Sequence, residues 1–230
     1  MNLYEFEGKK ILEEYGVVVP KGVVVRRGEN FSRLYNELNI KNVVVKAQVL
    51  SGKRGKNNAI KFCSSAEEVS RVCMNLFNMQ VRNQYVAAVR IEEKLNITEE
   101  HFLSITYDTN KKQPVLIYNQ QGGVDIEDVP DSKIEKFWLD IRQTDINSKI
   151  PYAKELWECF TQEDCRLVEI NPLARTTDNR WIAADAKIVL DEDAAFRHKD
   201  WESFEPRTML GRLSTEREIA VKKIDEGENY

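Results

Sequence analysis

The sequence has 230 residues, 42% hydrophobic and 31% charged, enough apolar material for one large core or two small ones, which excludes a disordered, collagenous or disulfide-stapled chain. Its 34 basic and 38 acidic side chains leave a formal net charge of -4 with the signs interspersed, so no basic stripe marks a nucleic-acid footprint. Four scattered cysteines (Cys63, Cys73, Cys159, Cys165), only two histidines and no CxxC spacing favour reduced thiols over a zinc cluster. Glu5 and Glu7 precede any apolar run, and no stretch approaches the roughly 20 apolar residues of a membrane span. The expectation is a soluble, cytoplasmic protein that needs neither a membrane nor a nucleic acid.

Leu3, Phe6, Ile11, Leu12 and Tyr15 recur at helical spacing and Gly16 stands at the cap position, which predicts a helix over 3–15. Two valine runs, 17–19 and 23–25, read as extended chain, and Phe31, Leu34, Tyr35 and Leu38 as one face of a second helix. Asn42 to Val49 is a buried strand, 50–58 a glycine- and lysine-rich loop, and 60–62 a further strand. Ser65, followed by Glu67 and Glu68, starts a helix, and 86–92 returns to strand. The alternation predicts an inserted α/β lobe over 21–97, with residues 1–20 and 98–230 making a second lobe. In that second lobe, 102–107, 114–119, 167–171 and 181–187 read as strands; 132–142, 152–162 and 214–225 read as helices.

Three constellations are candidates for chemistry. In the run Leu-Val-Glu-Ile-Asn-Pro (167–172), Glu169 and Asn171 share one strand face, since side chains alternate with period two. A turn centred near Asp178 then sets residue 171 opposite Asp185, and opposed residues have Cβ atoms about 5 Å apart. Glu169, Asn171 and Asp185 thus form a face of hard oxygen donors suited to Mg²⁺ with substrate phosphates; pattern alone favours a solvated polar stripe over that reading. The second constellation is Lys46, a lysine inside an apolar strand, ahead of Ser-Gly-Lys-Arg-Gly-Lys (51–56). Such a loop offers backbone N–H groups and cations to phosphate, although it lacks the ending of a Walker loop and by itself reads at least as well as a solvated basic loop. The third is Arg90-Ile91-Glu92-Glu93-Lys94-Leu95 with Glu99-Glu100, charged groups leaving a strand between the two lobes.

Taken in order, MNLYEFEGKK, KAQVLSGKRGK, IEEKL, GGVDIEDV, VEINPL and DAKIVLDEDAAFRH closely resemble the β subunits of the succinyl-CoA synthetase family. More broadly, residues 1 to about 200 resemble the ATP-grasp part of the acyl-CoA synthetases that form nucleoside diphosphates, ATP-citrate lyase included. The resemblance implies an α/β (α+β) ATP-grasp fold, two lobes clamping a nucleotide. Under it Lys46, Lys53, Arg54, Gly55, Glu92, Leu95 and Glu100 would contact nucleotide, with Arg54 also catalytic. Asn171 and Asp185 would bind Mg²⁺, and Glu169 would be a further ligand.

The implied cofactors are Mg²⁺ and ATP, with GTP open because Leu95 stands where a small polar residue is common. The implied reaction is succinate + CoA + ATP = succinyl-CoA + ADP + phosphate, through a phosphohistidine on a partner α subunit that also carries the CoA site. The family's C-terminal ligase domain has no counterpart in the 230 residues: either they are an excised nucleotide-binding domain, or they are a split subunit whose missing half, a separate chain, is a further expected partner. Two alternatives stay open: an ATP-citrate lyase or citryl-CoA synthetase component, and a non-catalytic module that responds to nucleotide.

Overall fold

The computed structural model describes residues 1–50, 54–124, 126–142, 146, 149–204 and 215–225. Helix α1 spans Glu5–Glu14. It is followed by strand β1 (Gly22–Val25), helix α2 (Phe31–Leu38), β2 (Val43–Gln48), β3 (Ile60–Cys63) and α3 (Ala66–Phe77). A two-strand ribbon, β4 (Gln80–Val81) and β5 (Gln84–Tyr85), then precedes β6 (Ala88–Glu93). Strands β1, β6, β2 and β3 form an antiparallel sheet in that order. Its core holds Val43, Val45, Ala47, Val89 and Ile91 against Tyr35, Leu38, Val69, Cys73 and Leu76 of α2 and α3. Side chains of Asn30 and Ser65 accept from the N–H groups of Arg33 and Glu68, which fixes where these two helices begin.

A second core draws on α1 and on the chain beyond residue 100. Strands β7 (Ile97–Asp108), β8 (Gln113–Asn119), β9 (Glu135–Trp138), β10 (Cys165–Thr176) and β11 (Trp181–Ala183) form a sheet in the order β11-β10-β7-β8-β9, and β12 (Lys187–Leu190) pairs with β10. Helices α1 and α4 (Ala153–Gln162) bury Ile11, Leu12, Leu156 and Phe160 against Leu103, Ile105, Val168 and Ile188 of that sheet. Helix α5 covers Glu216–Asp225. All four cysteines are free and buried, and burial pushes the Cys73 thiol up to about 12. Among the described residues no helix is long and apolar enough to cross a membrane.

One expected element is overturned. Residues 132–142 do not form a helix: Asp131–Lys133 is a short 3₁₀ turn, and Glu135–Trp138 is an edge strand paired with β8. Without that pairing one edge of β8 would present unmatched N–H and C=O groups, and Phe137 and Trp138 suit a strand well.

Candidate functional site: an ionic seam between two sheets

Alternation along the strands builds the site. In β2, Val43, Val45 and Ala47 face the helices, so Val44, Lys46 and Gln48 face the opposite way. In β6 the same rule buries Val89 and Ile91 and turns Arg90 and Glu92 to that opposite side. The N-terminal segment runs along β12, with Leu3 N–H donating to Ile188 O at 3.1 Å and Leu190 N–H to Met1 O at 2.8 Å. Helix α1 therefore begins beside the 184–186 segment and turns Glu5 and Lys9, one helical turn apart, into the seam.

The side chains there form one connected network. Glu5 Oε1 accepts from Lys9 Nζ (2.8 Å) and Lys46 Nζ (3.1 Å); its Oε2 accepts from Gln48 Nε2 (3.1 Å) and Arg54 Nη1. Glu92 accepts from Lys46 Nζ (2.6 Å), Lys9 Nζ (2.7 Å) and Arg90 Nε (2.7 Å). Both lysines also donate to Ala184 O, at 2.7 Å from Lys46 and 2.9 Å from Lys9. Arg54 Nη2 reaches Asp185 Oδ1 at 2.5 Å. Four cations thus meet three carboxylates, and the Asp185 side chain is still 30% exposed. All other charged side chains of the network are at least nine-tenths buried.

Burial acts to raise the Glu5 carboxyl, but Arg54, Lys46 and Lys9 outweigh it and hold that group well below the ordinary carboxylate range. Burial likewise opposes ionisation of Glu92, and Lys46 and Lys9 overcome it. Burial also pushes Lys46 and Arg54 down, yet both end above their ordinary values. The carboxylates of Glu5, Glu92 and Asp185 outweigh burial for Lys46, and those of Asp185 and Glu5 do so for Arg54. Lys9 shifts the other way: burial dominates, and Lys46 and Arg90 counter the help it gains from Glu5 and Glu92.

Beside the seam, the pairs Leu173 with Ala183 and Glu169 with Lys187 bracket Asn171 opposite Asp185, the register expected from the turn at Asp178. A short loop then holds Asn171: Gly123 N–H donates to Asn171 Oδ1 at 2.7 Å, and Asn171 Nδ2 donates to Val124 O at 3.0 Å. That loop lies flat on β7. A Cβ on Gly122 would sit 2.2 Å from His101 O, and one on Gly123, whose φ is +71°, would sit 2.3 Å from Glu100 Oε2. Gly123 thus touches both Glu100 and Asn171, and Glu100 itself is exposed and outside the buried network.

The sequence profile of the ATP-grasp domain matches residues 2–150, well over half of the chain. The chain belongs to the ATP-grasp family. It is 38% identical over 227 residues to the succinate–CoA ligase [ADP-forming] subunit beta of Methanocaldococcus jannaschii, covering 89% of this chain and 61% of that protein. It is 36% identical over 220 residues to the [GDP-forming] subunit beta of Thermus thermophilus, covering 87% and 58%. The chain therefore spans about three-fifths of the length of these curated relatives. In fold it is similar to ATP citrate lyase from Methanothrix soehngenii in complex with citrate and coenzyme A (TM-score 0.75, 20% identity, 98% of this chain and 60% of that one). It is also similar in fold to Ca. Korarchaeum cryptofilum ACD1 in complex with coenzyme A (TM-score 0.62, 18% identity, 83% and 93%).

In this ATP-grasp chain the expected site residues fall into groups. Lys46, Arg54, Glu92 and Asp185 converge in the seam, and Asn171 stands across the hairpin from Asp185. Glu169 lies two positions along β10, between Ser104 and Lys187. Gly55 is exposed and opens a short 3₁₀ turn, and Leu95 is half-buried in the connection from β6 to β7. Lys53 lies outside the described residues.

Among the described residues His, Cys, Asp and Glu make no group of three arranged around a metal. The donor set instead pairs an amide oxygen with carboxylates, which fits a Mg²⁺ ion that keeps waters and takes the rest of its shell from phosphate. Glu5, Lys9 and Gln48 are the network members that sequence reasoning missed. The Glu5–Lys9 spacing of four on a helix with an apolar opposite face was the available signal.

Proposed function

We propose that this chain is the nucleotide-binding portion of an acid–thiol ligase, holding Mg-ATP, or Mg-GTP, in the seam between its two sheets. Residues 21–97 act as one lobe of the clamp, and residues 1–20 with the chain beyond 98 act as the other. The convergence of Lys46, Arg54 and Asp185 on one partly open seam carries this reading. Lys46 and Arg54 offset charge on the transferring phosphoryl group, and Glu5 and Glu92 keep both cations charged and oriented. Asn171 and Asp185, with Glu169 close by, would hold Mg²⁺, which supplies charge neutralisation at the phosphates when bound. Glu100 and Leu95 would line the nucleotide's outer side, and Lys53-Arg54-Gly55 would cover the phosphates.

The similarity to succinate–CoA ligase β subunits over 89% of the chain supports succinate as the acid. The reaction is then succinate + CoA + ATP giving succinyl-CoA, ADP and phosphate. A histidine on a partner α subunit, which also carries the CoA site, relays the phosphoryl group, and the β subunit's remaining domain completes the enzyme. The motifs Lys53-Arg54-Gly55-Lys56 and Gly122-Gly123-Val124-Asp125 favour a second reading, an ATP-citrate lyase or citryl-CoA synthetase component. Reconstitution with candidate α subunits, a chain carrying the β subunit's remaining domain and CoA, comparing succinate with citrate, tests both. Succinate-dependent ADP release only when the partner is present supports the first reading. Citrate-dependent release replaces it with the second, and none with either acid removes both.

A further inference from the structure

Arg54 holds two positions at once. Its Nη1 donates to Glu5 Oε2 and to Ala47 O (3.3 Å), while Nη2 donates to Asp185 Oδ1 at 2.5 Å. Asp185 Oδ1 also accepts from Ala186 N–H at 2.8 Å, so that oxygen already has two donors. The Arg54 backbone is fixed as well: its carbonyl accepts from Ala59 N–H (3.0 Å) and Asn57 N–H (3.2 Å), and Ala47 N–H donates to Ala59 O (2.9 Å). Any change of partner is therefore a swing of the guanidinium about its Glu5 anchor, with the main chain at rest.

A divalent cation on Asp185 and a guanidinium 2.5 Å from the same carboxylate would set like charges side by side in a largely desolvated pocket. We propose that Arg54, seated on Glu5, is a latch that masks the Asp185 carboxylate in the nucleotide-free protein and yields it to metal only when a polyphosphate draws Nη2 away. Metal and nucleotide then enter together, and neither Glu5 nor the carbonyl of Ala47 changes partner. The inference rests on the reading of the seam as a nucleotide site and adds an order to it.

The probe is Mn²⁺ alone, titrated without nucleotide and followed by its electron paramagnetic resonance signal. The wild-type chain should bind it weakly. Arg54→Gln should bind it at least about tenfold more tightly, and adding Asp185→Asn to that variant should remove the gain. Arg54→Lys keeps the charge but cannot bridge Glu5 and Asp185 with two nitrogens. It should fall between the two and serves as the second test if Arg54→Gln does not fold. Equal Mn²⁺ affinity in wild type and both variants would overturn the latch, as would tight Asp185-dependent binding by wild type alone. In parallel, Mg-ATP is titrated into wild type. Mg-ATP binding together with unchanged Mn²⁺ affinity in the variants removes the latch alone; absent Mg-ATP binding removes the reading beneath it.

Discussion

Glu5 occupies an unusual position for a carboxylate: its side chain is 1% exposed and its two oxygens accept from Lys9, Lys46, Gln48 and Arg54, which come from both sheets' sides of the seam. Glu5→Gln leaves three buried cations short of a counter-charge, and breaking a buried ion pair on one side costs about 3–5 kcal/mol. Denaturant unfolding should show that loss as a lower midpoint with an unchanged slope. The pH dependence follows from the same contacts. Glu5 and Glu92 are both held below their unfolded values, so their contribution is complete above the ordinary carboxyl pKa of about 4.3 and is lost as pH falls through the folded values. Midpoints should therefore drop on acidification below about pH 4, and Glu5→Gln should flatten that part of the curve; parallel curves for the two proteins would contradict the assignment.

Lys46 could be singled out in the sequence because an ammonium inside a valine strand demands an anion. Its partners could not, because they come from 41 residues earlier and 46 residues later, and only the register that sets Lys46 opposite Arg90 shows why Glu92 must lie beside them.

At the scale of elements, the hairpin was readable because period-two alternation and a five-residue turn determine a register by counting. The flat loop at Gly122 was readable only as punctuation. Its purpose appears once β7 lies beneath it and Asn171 is hydrogen-bonded to its backbone. Gly122→Ala places a methyl group against the His101 carbonyl and must lift the loop. A cost of about 2 kcal/mol is expected for such a backbone clash, which corresponds to a fall of about 4–8 °C in Tm for a chain of this size. Mg-ATP affinity should fall at least about tenfold with it, because Asn171 loses its support. A variant with wild-type Tm and affinity would show that the loop does not position Asn171. Residues 132–142 went the other way: their apolar spacing suits a helix, but the open edge of β8 decides for strand, and a single sequence carries no record of which edge is open.

At the scale of the whole molecule, two hydrophobic cores meet through a polar seam, and the contacts crossing it are ionic and hydrogen-bonded. Such a seam opens and closes at less cost than an apolar interface, because its charged groups are readily solvated. Hydrogen exchange should show Mg-ATP slowing amides in β2, β6, the start of α1 and the Gly122–Val124 loop together; protection confined to one sheet would argue against a clamp. In the sequence the alternation of strand and helix up to residue 97 is plain, while the seam joining the cores depends on contacts between residues far apart in the chain.

The central claim is that this seam binds a metal–nucleotide complex through Asp185. Calorimetric titration of ATP into the intact chain, with and without Mg²⁺ and alongside Asp185→Ala, addresses it most directly. The account predicts binding that requires Mg²⁺ and weakens at least about a hundredfold, some 2.7 kcal/mol, in the variant. Equal affinity in wild type and Asp185→Ala, or binding indifferent to Mg²⁺, would contradict it.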